Sequence, residues 1–120
     1  MSSSAQGRVP GLGGITNCRM TRALVEHVTS KWGVLVLLVL ADGPMRWGEL
    51  KRAIDGVSEK MLVSTLRTLE ADGLVDRESL PVVPPHVSYS LTPTGQEAAT
   101  LLTPLVRWAF DYANPDENDC

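Results

Sequence analysis

Residues 58–77, "SEKMLVSTLRTLEADGLVDR", begin as a helix and finish as something that cannot continue one. Ser58 is a strong N-cap residue, and Glu59 in the first turn suits the positive end of the helix dipole. Val57 and Leu62 are spaced as a hydrophobic staple across that start. Leu62, Leu66 and Leu69 recur at helical spacing and predict an inward stripe. At the other end Gly73 fits the C′ position, with Leu74 placed to fold back on Leu69. Two firm caps around so thin an apolar stripe leave a second face to explain. That face carries Lys60, Val63, Ser64, Arg67 and Ala71. It is small, hydrogen-bonding and lightly charged, so it can lie close against a partner.

Upstream, "RWGELKRAI" places Trp47, Leu50 and Ile54 on one face and Glu49, Lys51 and Arg52 on the other. "DGV" (55–57) joins it to the helix above as a tight turn. "KWGVLVLLVLADGP" is apolar on every side, as a helix buried by its neighbours is, and Asp42-Gly43-Pro44 stops it. Before it, "CRMTRALVEHVTS" reads as a short amphipathic helix with Leu24, Val25 and Val28 inward.

Downstream, "LVDRES" and "HVSYSL" read as two strands, the second with Val87, Tyr89 and Leu91 inward and Ser88 and Ser90 outward. The prolines of "LPVVPP" stiffen a protruding loop between them. A last helix starts at Thr92-Pro93, with Pro93 at N1, or at Thr94, with Thr94 and Glu97 as a capping box. It runs to about Ala113, and Pro104 should bend it. The order is helix, helix, helix, turn, helix, hairpin, helix. Two amphipathic helices joined by a tight turn form a helix-turn-helix, and the hairpin after them makes it winged. The expected fold is mainly α with a small β-hairpin.

At 120 residues the chain is sized for one domain with one modest core. Residues 1–15, rich in Gly and Ser, are expected to be a flexible tail, 16–113 the folded domain, and 114–120 an acidic tail. The net charge of −3 comes from the end of the chain: without Asp111, Asp116, Glu117 and Asp119 it becomes +1. Residues 1–31 carry Arg8, Arg19, Arg22 and Lys31 against Glu26 alone. The longest apolar run, Val34 to Ala41, is far short of the roughly 20 residues that cross a bilayer. With no apolar leader, a cytoplasmic location and no membrane association are expected. Two cysteines, Cys18 and Cys120, suit a reducing compartment.

Cys18, "KWGVLVLLVLADGPMRWGELKRAIDGVSEKMLVSTLRTLEADGLVDR" and "PVVPPHVSYSLTPTG" resemble the HxlR-type winged-helix transcriptional regulators of bacteria, over roughly Cys18 to Trp108. The resemblance implies a homodimer on an inverted-repeat operator in double-stranded DNA, with a recognition helix in the major groove and the wing beside it. It also implies that the cysteine near the start of the first helix senses oxidants, electrophiles or quinones in several members. Trp47 stands where Phe is usual, Arg19 where Pro is common, and His86 and Ser88 where Arg and Glu are usual in the wing.

Site candidates follow. On the 58–72 helix, Ser58, Lys60, Val63, Ser64 and Arg67 are placed to meet phosphates and base edges. Arg46, Lys51, Arg52, Arg77 and His86 are candidate phosphate neighbours. Cys18 is the sensor candidate, because a helix start beside Arg19 and Arg22 favours the thiolate. A small-molecule inducer or oxidant is then a further partner. His27 and His86 lack metal-ligand spacing, and no P-loop, dinucleotide fingerprint or GxSxG occurs, so neither a cofactor nor an enzyme is expected. Trp32, Trp108, Phe110 and Tyr112 read as packing, and the last helix carries more apolar surface than this domain covers. Dimerisation through the first and last helices covers it best. The alternative is a winged helix that serves as a protein-interaction module without DNA.

Overall fold

The computed structural model describes residues 17–84 and 86–115. The expected flexible tail, most of the acidic tail and Cys120 lie outside the described residues. Within them the chain forms α1 (Arg19–Thr29), α2 (Lys31–Leu40), β1 (Met45–Arg46), α3 (Trp47–Ala53), α4 (Glu59–Ala71), β2 (Val75–Leu80), β3 (His86–Leu91) and α5 (Pro93–Ala113).

Each end of α4 is closed by the groups its sequence supplies. The Met61 N–H donates to Ser58 Oγ at 3.0 Å. At the far end Gly73 has φ 80°, Leu74 N–H donates to Leu69 O at 2.9 Å, and Gly73 N–H donates to Glu70 O at 3.0 Å. Both bonds of a Schellman ending are therefore present. Leu62, Leu66 and Leu69 are buried, as are Val57 at the staple and Leu74 beyond the cap. Burial contributes roughly 1.5–3 kcal/mol for each such leucine relative to an exposed one.

The core gathers these residues with Val36, Leu37 and Leu40 of α2, Leu50 and Ile54 from the α3 segment, and Val75, Tyr89, Ala99 and Leu102. Helix α5 begins at the first of the two expected starts. Pro93 lies at N1, and Thr92 Oγ1 accepts the Gly95 N–H at 3.0 Å. Gly95 is required by close approach: a Cβ there would collide with the carbonyl oxygen of Leu74. That contact seats α5 directly on the end of α4.

Two expectations need correction. A third strand exists, because the sheet runs β1-β3-β2 with Met45 opposite Tyr89 and Arg46 opposite Ser88. Two residues have no periodicity to read; the free edge of β3 creates this strand. Ser88 and Ser90 alternate with the buried Tyr89 as expected, but they are half-buried rather than exposed because β3 is the central strand. Finally, α1 buries none of its residues. Leu24 and Val25 are exposed, and only Val28 packs against the core from its expected inward set. Among the described residues nothing covers that face. Among the described residues no single helix is long and apolar enough to cross a membrane.

Candidate nucleic-acid interface

The free face of α4 keeps Lys60, Ser64 and Arg67 exposed and Val63 half-buried. An open groove of about 540 Å³ runs along it, lined by Glu59, Lys60, Val63, Ser64, Arg67 and Thr68. On its other side a cleft of about 430 Å³ separates α4 from the sheet, lined by Trp47, Val63, Leu66, Arg67, Glu70, Arg77 and Tyr89. Arg77 lies opposite Tyr89 in the register, so both side chains project from the same face of the sheet. Val63 and Arg67 line both depressions.

The structure thus brings together Lys60, Val63, Ser64 and Arg67, and sets Arg77 beside them. The remaining candidates are spread around this centre. Ser58 is exposed at the N-cap of α4, where its Oγ accepts the Met61 N–H. Arg46 ends β1, exposed, and its N–H donates to Glu49 Oε1 at 2.8 Å, which fastens the start of α3. Lys51 is half-buried and Arg52 exposed on α3. His86 pairs with Leu80 at the outer end of the hairpin, where Val83 is fully exposed.

Sequence reasoning missed Trp47, Thr68, Glu70 and Tyr89 as parts of this surface. Glu70 was legible at i+3 from Arg67. Trp47 and Tyr89 were assigned only to packing, yet both also line the cleft. The carboxylates of Glu59 and Glu70 repel phosphate, so they limit where a polyanion's backbone can lie.

Cys18 is the exposed N-cap residue of α1. Its thiol titrates below the ordinary thiol range, chiefly because of the Thr21 hydroxyl, then the Thr21 backbone amide. The Thr21 hydroxyl and the first-turn amides at the helix start are thus the groups that favour the thiolate. Trp108 stacks on Tyr112 with ring centroids 5.6 Å apart, while Trp32 packs against the core with Lys31 Nζ 4.6 Å from its ring centre. Among the described residues no group of three His, Cys, Asp or Glu side chains is close enough to hold a metal ion.

A helix-turn-helix with a wing against its second helix defines the class: the winged helix-turn-helix transcriptional regulators. The model of the HxlR-like helix-turn-helix family matches residues 27–117, and the chain belongs to that family. Its relatives are transcriptional regulators, not enzymes. The uncharacterized HTH-type transcriptional regulator YtfH of Escherichia coli K12 is 50% identical over 88 residues, covering 73% of this chain and 70% of that one. The solved ytfH protein of Salmonella typhimurium is 51% identical with a TM-score of 0.70, covering 73% and 79%. The transcriptional regulator YodB of B. subtilis, in its reduced form, is 32% identical with a TM-score of 0.68, covering 82% and 96%. YodB treated with diamide matches at 33% identity and a TM-score of 0.67, covering 77% and 91%.

Proposed function

We propose that this regulator is a cytoplasmic homodimer that binds an inverted repeat in double-stranded DNA, with α4 in the major groove and the β2–β3 wing beside it. The observation that carries the reading is the free face of α4. Lys60, Ser64 and Arg67 stand out from a helix whose opposite stripe is wholly buried, and Arg77 flanks them from the sheet. Arg67 and Lys60 reach guanine edges or phosphate, Ser64 hydrogen-bonds to base or phosphate, and Val63 contacts thymine methyl groups. Ser58, Arg46, Lys51, Arg52 and His86 contribute at the margins.

Dimerisation follows from the second free face. Leu101, Leu105, Trp108, Phe110 and Tyr112 of α5 and Met20, Leu24 and Val25 of α1 are exposed. Covering them with a second copy sets two α4 helices roughly 34–36 Å apart, one helical turn of DNA. Cys18 acts as a thiol switch on α1, supported by its lowered pKa and by the likeness to YodB, a protein solved both reduced and diamide-treated.

The test is selection of duplexes from a random pool, followed by titration at several salt concentrations. An inverted repeat whose affinity falls steeply with salt is expected, because phosphate contacts release counterions. Absence of any salt-dependent duplex binding overturns the reading in favour of a protein-interaction module.

A further inference from the structure

Helix α1 is loosely seated: it buries no residue, and His27 Nδ1 lies 2.7 Å from Asp72 Oδ2. Among the described residues this is the one side-chain to side-chain hydrogen bond, since the others run to or from backbone. It joins positions 45 residues apart, with side chains 33% and 21% exposed. Asp72 is the C-cap of α4, held by its N–H to Thr68 O at 3.0 Å and followed by the left-handed Gly73. A carboxylate at a helix C-terminus opposes the dipole. Asp72 is therefore poorly explained by α4 alone and well explained by His27.

Beside the contact, a gap of about 230 Å³ is lined by Glu26, His27, Ser30, Ser64, Thr65, Thr68 and Leu69. Side-chain packing between α1 and α4 is incomplete there, so the polar contact stands at the edge of a gap rather than reinforcing a filled interface. With the hydrogen on Nδ1, both neutral and protonated imidazole donate to the carboxylate.

We infer that His27 and Asp72 are positioning residues that fix the angle between α1 and α4, and so set the separation of the two α4 helices in the dimer. This rests on the proposed function, in which α1 belongs to the face where two copies meet and α4 reads DNA. One-sided movement of α1 is then transmitted to the end of α4 through this pair, and the affected property is half-site spacing rather than base contact.

The experiment compares wild type with His27→Ala, Asp72→Ala, the double variant, and His27→Gln combined with Asp72→Asn, which rebuilds a neutral hydrogen bond. The probes are the inverted repeat selected by the wild-type protein, a duplex with one half-site, and the repeat lengthened by two base pairs between half-sites. Each alanine variant is expected to lose roughly five- to tenfold in affinity for the intact repeat, with the double variant no worse than either single. Affinity for one half-site should stay within about twofold of wild type, and discrimination against the lengthened repeat should shrink. The Gln–Asn pair should restore both. Parallel losses on half-site and intact repeat, additive single effects, or unchanged binding overturn the inference. If wild-type protein binds no duplex, the functional reading itself has failed and this inference with it.

Discussion

Helix α4 buries Leu62, Leu66 and Leu69 within the chain and turns Lys60, Ser64 and Arg67 outward. Helix α5 does the reverse with its free side. It buries Gly95, Ala99 and Leu102 in its first half and leaves Leu101 76%, Trp108 61% and Tyr112 77% exposed. Both helices are half-covered by the same core, so the difference lies in what each bare face asks for. Polar groups with hydrogens to donate suit a hydrated polyanion, whereas contiguous leucines and aromatic rings favour exclusion of water. One chain therefore carries two interfaces of opposite chemistry, joined through the sheet and the Leu74–Gly95 contact.

The buried side of α4 offers the largest effect. Leu66→Ala should cost about 2–5 kcal/mol of stability, measured by denaturant unfolding, because Leu66 is enclosed by core residues. A cost under about 1 kcal/mol would mean that the stripe is not the support of the helix. On α5, Trp108→Glu places a charge in the apolar face and removes the stack on Tyr112. Dimer affinity should fall by roughly 2 kcal/mol or more while the monomer stays folded, read by sedimentation and circular dichroism. Equal association of variant and wild type removes that face from the interface.

Arg67→Ala tests the polar face, with an expected loss of roughly 1–3 kcal/mol in specific DNA binding if the guanidinium reaches a base edge. A loss shared by every sequence, with a smaller salt slope, reassigns Arg67 to phosphate. The smallest effect concerns Cys18. Its lowered pKa means that the thiolate, the form that alkylates, persists to lower pH than in a free thiol. The alkylation rate should rise with pH and level off earlier than for free cysteine. Thr21→Val should move that midpoint up, because the Thr21 hydroxyl is the main cause of the shift. An unmoved midpoint assigns the shift to the helix start instead.

Caps and turns were the most legible features. Ser58, Val57, Leu62, Gly73 and Leu74 act through neighbours within a few residues, and each took its expected role. The centre of the candidate site, Lys60, Ser64 and Arg67, was legible because helical spacing alone separates it from the leucine stripe. Trp47 and Tyr89 were readable as apolar but not as walls of the cleft beside α4, since that depends on how the sheet meets the helix. Leu24 and Val25 were read as inward because amphipathic spacing says that a face is apolar, not which molecule covers it.

Local spacing in the sequence thus determined the helices, their ends, the helix-turn-helix order and the outward face of α4. Those properties arise from interactions across three to six residues, where the chain's own geometry dictates the outcome. Only the tertiary structure decided that Met45 and Arg46 add a third strand, that Arg77 stands across a cleft from Arg67, and that His27 meets Asp72. Each joins segments far apart in the chain, and no periodicity encodes such a meeting. It is set by the way the core packs, once Leu37, Leu50, Leu62 and Leu69 have excluded water together.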